Sequence, residues 1–297
     1  MIKLGIVDFD TSHVVQFSKR LNHKGIEEEQ WVEGAQIVCG CPGTSAISPE
    51  RIAGHTDELR KIGVEILDKP EDIIGKVDGV LIESVDGSVH LERARPFIEA
   101  GLPLFIDKPF TSSLADAKEL VELAEKKGVP LFSSSSLRYA LEVVEAKQDP
   151  KVGPIVGADA FSPAPTHPRN PGLFHYGIHG VETLYSLMGQ GCASVWCVST
   201  DGVDVVTGIW KDERVGVMRG IREGARGYGF TAYGEKGVRQ DTINTAFIYR
   251  ELLKQIVEFF KTGKSPVPIE ETLEIMAFME AAMESGARNG KRVDLKV

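Results

Sequence analysis

No apolar run in this chain reaches the ~18 residues that a membrane-spanning helix requires. Cysteine is scarce. Neither Cys39 with Cys41 nor Cys192 with Cys197 has the C-x-x-C spacing of a zinc ribbon or a redox dithiol. The four thiols read as small buried side chains in a reducing compartment. Basic residues are outnumbered: 34 Lys and Arg against 43 Asp and Glu leave a formal net charge of -9. That excludes nucleic acid and anionic membranes as partners, because both select a basic surface. Repeats and long low-complexity tracts are absent. The chain opens on Met1-Ile2-Lys3-Leu4-Gly5 and goes directly into a strand pattern, so no secretory leader and a cytoplasmic location are expected. One more absence bears on function. The first strand, Leu4-Gly5-Ile6-Val7, is followed not by a glycine-rich turn but by Asp8-Phe9-Asp10-Thr11-Ser12-His13.

What is present is enough for two domains: 297 residues, with 42% hydrophobic and 26% charged side chains, the balance of a globular chain with a buried core. Up to about residue 135 strand and helix patterns alternate. Strands are expected at residues 3–7, 36–39, 79–83, 104–106 and 130–133, and helices at 12–23, 49–62, 91–100 and 114–127. In the last helix Ser113 and Asp116 form a capping-box pattern, Ala117, Leu120, Val121 and Ala124 a buried stripe, and Gly128 the stop. Short, continuously apolar strands between helices predict a parallel, doubly wound sheet.

Beyond the polar stretch Ser133-Ser134-Ser135-Ser136 strands dominate, at 155–161, 194–199, 203–210, 214–221 and 228–233. Their hairpin spacing predicts a largely antiparallel sheet. Helices over 172–188, 246–261 and 269–287 are expected to cover it. The fold class is therefore α/β: a parallel-sheet domain over residues 1–135, then an α+β domain over 136–297.

Two constellations suggest proton chemistry. Asp107-Lys108-Pro109 follows the apolar run Leu104-Phe105-Ile106, which puts a lysine at a strand's carboxyl end, where open α/β sheets bind ligands. His175, His179 and Glu182 are spaced for one stripe of a helix beside an apolar stripe of Phe174, Ile178, Val181 and Tyr185. Gly177 and Gly180 weaken that helix and imply a close neighbour, a sheet or a ligand. His-x-x-x-His also suits a metal, but H-E-x-x-H is absent and no metal is expected. The structural alternatives are a solvated Lys108 and a hydrogen-bonded pair of histidines.

These residues resemble the Gfo/Idh/MocA oxidoreductases, relatives of glucose–fructose oxidoreductase and inositol dehydrogenase. The likeness runs from Asp78-Gly79-Val80-Leu81-Ile82 through His90, Gly101, Asp107-Lys108-Pro109, Gly128-Val129-Pro130 and Arg138-Tyr139. It continues to Gly234-Glu235-Lys236-Gly237, Ser265-Pro266-Val267 and Ser285-Gly286-Ala287. It implies a Rossmann domain followed by a domain for substrate and oligomerisation. It also implies hydride transfer between NAD or NADP and a sugar, polyol or sugar acid. By that resemblance Lys108 and His179 sit beside the reacting carbinol, one taking the hydroxyl proton and the other orienting the oxygen. His175 stands where the family usually has aspartate, which favours an anionic substrate. Arg138, Tyr139 and Glu182 fall on the substrate side. A cis Lys108-Pro109 bond and a homodimer or homotetramer are further implications, with Val205, Trp210, Val215 and Val217 as contacts.

The family's G-x-G-x-x-G positions read Asp8, Asp10 and His13 here. The cofactor-side residues are expected to be Asp8, Asp10, Thr11, Ser12, His13, Ser84, Asp107 and Pro109, with Asp10, Thr11 or Ser12 capping the helix that binds phosphate. Cys41-Pro42-Gly43-Thr44-Ser45 replaces the acidic ribose ligand of NAD, and Arg51 is a candidate partner for a 2′-phosphate. The alternative is a non-redox lyase or isomerase, or a binding protein, on the same scaffold with altered cofactor binding.

Overall fold

The computed structural model describes residues 1–297. In chain order the elements are β1 (Ile2–Val7), α1 (His13–Leu21), β2 (Ala35–Cys41), α2 (Pro49–Ile62), β3 (Glu65–Ile66), β4 (Gly79–Ile82), α3 (His90–Glu99), β5 (Leu104–Ile106), α4 (Leu114–Lys127) and β6 (Leu131–Ser133). There follow α5 (Leu141–Gln148), β7 (Ile155–Pro163), α6 (Ile178–Met188), β8 (Cys192–Ser199), β9 (Val203–Trp210), β10 (Val215–Ile221), β11 (Gly229–Gly234), β12 (Val238–Thr242), α7 (Ile248–Thr262), α8 (Ile269–Ala287) and β13 (Val293–Asp294). No helix is long and apolar enough to cross a membrane. The chain forms two compact units, one of residues 1–134 with 249–269, the other of residues 135–248 with 270–297.

In the first unit the strand order is β3-β2-β1-β4-β5-β6, all parallel, and the order reverses between β1 and β4. This is the doubly wound arrangement whose ligand crevice lies at the carboxyl ends of the strands near the reversal. Leu4, Ile6, Ile37, Val80, Leu81, Leu104 and Phe105 are fully buried, as expected of strands covered on both faces. Local chemistry sets the helix ends. Ser113 accepts a hydrogen bond from the Asp116 N–H at 3.1 Å, and Gly128 at φ 66 closes α4. One helix is reassigned. The helix expected at 246–261, realised as α7, packs in this unit and does not cover the second sheet. Phe259 meets Phe132, Phe260 presses on Gly79 and Tyr249 meets Phe17.

The second sheet has the order β12-β11-β7-β10-β9-β8-β13 and is mixed. β7 and β10 run parallel, and the other pairs are antiparallel. The short α5, β12 and β13 carry too little periodicity to be read in advance. Trp210 lies on the helix-covered face, 1% exposed, with its indole N–H on the Gly189 carbonyl at 2.8 Å. It is therefore removed from the expected intersubunit contacts. Val198, Val215 and Tyr233 are exposed.

The helix expected over 172–188 is broken. Residues Gly172–Phe174 form a 3₁₀ turn with Gly172 at φ 53, and α6 begins only at Ile178. Gly180 is where α6 touches the sheet. A Cβ there would stand 2.7 Å from Met218 Cε and 2.9 Å from Ser162 Oγ. The close neighbour implied at Gly180 is thus the sheet, while at Gly177 it is Leu173 of the preceding turn, whose Cα would lie 2.9 Å from a Cβ.

Candidate functional site

The turn after β1 keeps the backbone of a glycine turn while carrying aspartates. Asp8 has φ 64, the left-handed conformation that aspartate tolerates better than most residues. Its carboxylate is folded inward and 1% exposed. It accepts from Arg93 Nε at 3.0 Å and from the Ser84 hydroxyl. Only glycine fits at position 43 opposite, since a Cβ there would lie 1.7 Å from Asp8 Oδ1. Asp10, also buried, accepts from the Val85 N–H at 3.1 Å and from Ser45 Oγ at 2.6 Å. Burial pushes the Asp8 carboxyl up, against the pull of Ser84 and Arg93.

Neither carboxylate caps α1. Ser12, at the cap position, makes no side-chain cap bond, and Thr11 Oγ1 accepts from the His13 N–H at 3.4 Å. An uncapped helix start presents N–H groups and the positive end of the helix dipole, which suits an anion. Arg51 is exposed, 3.9 Å from Glu50, and engages no other group of the turn.

At the ends of β4 and β5 four ionisable groups meet. Asp107 Oδ2 lies 2.8 Å from His13 Nδ1 and 3.5 Å from Lys108 Nζ. Glu83 Oε2 lies 3.7 Å from His13 Nδ1, and neither Glu83 oxygen has a hydrogen-bond partner. Glu83 is 0% exposed and Lys108 8%. The His13 ring stacks on Phe17 and meets the edge of Tyr249. The Lys108-Pro109 bond is cis. His90 braces this edge, its ring nitrogens 3.1 Å from the Phe110 carbonyl and 2.9 Å from that of Ser84.

Burial raises the Glu83 carboxyl to about 8, with Asp107 adding to it. Burial alone would lower His13, but Asp107 and Glu83 lift it to about 9. Burial also opposes ionisation of Asp107, yet His13 and Lys108 hold it well below the usual carboxylate range. The sign of the pH dependence follows. Folded His13 keeps its proton to about 9 where an ordinary histidine loses it near 6.5, so its contribution is complete below 6.5 and is lost as pH rises through 9. Glu83 acts the same way between 4.5 and about 8. The Asp107 contribution is present above 3.8 and lost as pH falls below it. The unfolding free energy is therefore expected to fall by on the order of a few kcal/mol between pH 6 and pH 9. Denaturant melts at successive pH values check this, and a flat profile would contradict the protonation pattern.

The second unit holds the other group. His179, buried, has Nδ1 2.6 Å from Ser135 Oγ, with its ring edge-on to Tyr176 and Tyr228. Glu182, one turn on, accepts from the Ser135 N–H at 3.2 Å and from Arg138 Nε at 2.6 Å. Arg138 Nη1 then reaches Glu271 Oε1 at 2.7 Å. Glu182 and Arg138 thus hold each other in a buried network that braces Ser135 and His179, while Tyr139 is half-buried beside it. Burial raises Glu182 despite Arg138; burial alone would lower Arg138, which the two glutamates raise strongly. His175 does not share the α6 stripe. It sits in the turn before the helix, its ring 5.4 Å from His167 and its Nδ1 3.5 Å from Asn170 Nδ2. Tyr176 lies edge-on to both His175 and His179.

Glu83, Arg93, Ser135 and Glu271 were not singled out from sequence. For Glu83 a signal existed: an acidic residue directly after the buried run Gly79–Ile82.

Residues 44–135 match the model of the GFO_IDH_MocA family, an oxidoreductase family with an NAD-binding Rossmann fold. Among curated proteins the chain is 26% identical over 212 residues to 1,5-anhydro-D-fructose reductase of Ensifer adhaerens, covering 65% of this chain and 62% of that protein. It is 29% identical over 176 residues to D-apiose dehydrogenase of Paraburkholderia graminis, covering 54% and 44%. An uncharacterized oxidoreductase of Escherichia coli is 32% identical over 112 residues, covering 34% and 32%. The chain thus spans less than two thirds of the length of these relatives. Among solved structures, a probable dehydrogenase from Thermotoga maritima superposes with a TM-score of 0.79 at 20% identity, over 99% of this chain and 98% of that one. Myo-inositol 2-dehydrogenase from Lactobacillus plantarum superposes at 0.81 and 15% identity, over 99% of each. At these identities the likeness is one of fold.

Proposed function

We propose, from the premise that this chain belongs to the Gfo/Idh/MocA oxidoreductase family, that it is a nicotinamide-dependent dehydrogenase or reductase of a sugar, polyol or sugar acid. The observation that carries the reading is Lys108, a nearly buried lysine at the carboxyl end of β5, backed by Asp107 beside the strand-order reversal. Asp8, Asp10 and His13 do not defeat the cofactor. Both carboxylates are turned inward onto protein donors, the left-handed backbone at Asp8 is kept, and α1 starts uncapped. The first turn of α1, with Thr11 and Ser12, would hold the pyrophosphate, and the loop around Ser84 and Pro109 would line the ring end. When bound, the dinucleotide supplies the hydride exchange. Lys108 holds or releases the proton of the reacting oxygen, and His179, oriented by Ser135, is the second unit's own candidate for substrate contact.

Calorimetric titration with NAD⁺, NADH, NADP⁺ and NADPH tests the reading. Affinity for one of the pairs below millimolar supports it, and no binding of any form removes it. The specific observation favouring a non-redox lyase or isomerase is the same aspartate-bearing turn, and that negative result would be its first support.

His179→Ala is expected to lower kcat by about 10²-fold, on the scale of a lost acid–base or polarising group. His175→Ala is expected to be milder, since His175 lies off the α6 stripe. His175→Asp should shift preference from anionic toward neutral substrates. If His175→Ala is the more damaging in steady-state kinetics, the roles of the two histidines are exchanged.

Val198, Val215 and Tyr233 lie exposed on strands of one sheet, with Val205 and Val217 half-exposed on strands paired to each other. Apolar surface of this kind is suited to a second copy. A homodimer or homotetramer is expected, and a monomer by light scattering at micromolar concentration would refute it.

A further inference from the structure

We infer that His13, Glu83 and Asp107 form a buried proton-holding site whose retained positive charge makes this chain discriminate between the redox states of a nicotinamide, favouring the reduced form. The inference rests on the dinucleotide reading above and deepens it.

The charges do not pair off evenly. Both bases, His13 at 2.8 Å and Lys108 at 3.5 Å, approach the same oxygen, Asp107 Oδ2. Glu83, fully buried, has only His13 at 3.7 Å and no hydrogen bond to either oxygen. Asp107 also lacks a hydrogen bond of good geometry, but it has two cations within 3.5 Å where Glu83 has one at 3.7 Å, so the proton of the pair belongs on Glu83. Asp107 then faces two cations alone, and the cluster carries one net positive charge. No ion pair joins a further charge to it, and the buried Asp10 on the preceding turn is held by Ser45 and the Val85 N–H outside the cluster. α1 contributes His13 and the Phe17 ring, Glu83 follows β4, Asp107 and Lys108 follow β5, and α7 presents the edge of Tyr249. The nearby Asp8 is already matched by Arg93. The raised carboxyl of Glu83 agrees with this count.

The cluster sits at the carboxyl ends of β4 and β5, on the edge where doubly wound sheets take their ligand. Oxidised and reduced nicotinamide differ by one positive charge on the ring. A fixed positive charge beneath that edge disfavours the oxidised ring, and ionisation of Glu83 cancels it. The preference for the reduced form is therefore largest at neutral pH and fades as pH rises through about 8.

Two measurements test this. In the parent protein without ligand, carbon-13 carboxyl resonances of labelled glutamate should show Glu83 still protonated at pH 7, the resonance being identified by its loss in Glu83→Gln. Calorimetry at pH 6.5 and 8.5, below the loss of the His13 proton at about 9, should then show the ratio of reduced to oxidised affinity falling by roughly fivefold, most of the effect of one partly screened charge. Glu83→Gln, which keeps the neutral shape, should hold most of the pH 6.5 ratio over the same interval, because His13 still keeps its proton there. An ionised Glu83 at pH 7 overturns the inference. So does a pH-independent ratio, or stoichiometric metal in the purified protein by elemental analysis. If Glu83 titrates as expected but no dinucleotide binds, the fault lies in the functional reading and the discrimination falls with it. If dinucleotides bind with a pH-independent ratio, only this inference fails.

Discussion

Replacing Lys108 with alanine is expected to lower kcat by about 10²–10⁴-fold, the range for loss of a positioned acid–base group, while affinity for the reduced dinucleotide changes little and that for the oxidised form rises by up to about tenfold as the cluster loses its surplus charge. The structure explains why the effect should be chemical. Lys108 meets Asp107 at 3.5 Å, but Asp107 keeps His13 at 2.8 Å when the lysine is gone. Asp107 is not stripped of its last cation, and strand β5, which ends two residues before Lys108, is packed independently through Leu104, Phe105 and Ile106. Steady-state kinetics with calorimetry and a thermal melt separate the outcomes. A rate loss under tenfold with the fold intact would remove Lys108 from the chemistry.

Replacing Arg138 with methionine is expected to cost about 3–5 kcal/mol of stability, the scale for removing one partner of a buried ion network. Glu182 and Glu271 would both lose their guanidinium. Burial already pushes Glu182 up, so without Arg138 it should take a proton at mildly acid pH. The loss should therefore be greater at pH 8 than at pH 5, as urea melts at the two values would show. Glu182→Gln, which leaves Arg138 with Glu271, should cost less. An Arg138→Met protein as stable as the parent, with altered substrate affinity, would return Arg138 to the substrate side.

Where the information is local the chain reads directly. The apolar runs that became β1, β4 and β5 alternate with helices whose ends are written in single residues: Ser113 accepting from the Asp116 N–H, Gly128 in the left-handed conformation, Pro49 opening α2. Parallel topology follows, because short strands separated by helices return in the same direction. Lys108 was legible for the same reason: it stands at the end of an apolar run. Where two remote segments must meet, a one-dimensional pattern does not carry the answer. The period of α7 reveals an apolar face but not which sheet takes it, and Phe259 and Phe260 return to the first unit. Alternation on β9 distinguishes two faces without saying which is covered, so the side that buries Trp210 is a tertiary outcome.

By itself, then, the sequence determined the parallel half and the largely antiparallel one, though not the parallel pairing of β7 with β10, together with the helix ends and the strand-end lysine, because these depend on neighbours in the chain. Only the tertiary structure decided what the departures from a glycine turn mean. Asp8 and Asp10 are turned inward by Arg93, Ser84, Ser45 and the Val85 N–H, and His13 meets Asp107 and Glu83, residues far away in sequence. Burial makes those meetings consequential. A carboxylate or imidazole removed from water takes its charge state from the groups packed against it, and packing is a property of the folded chain alone.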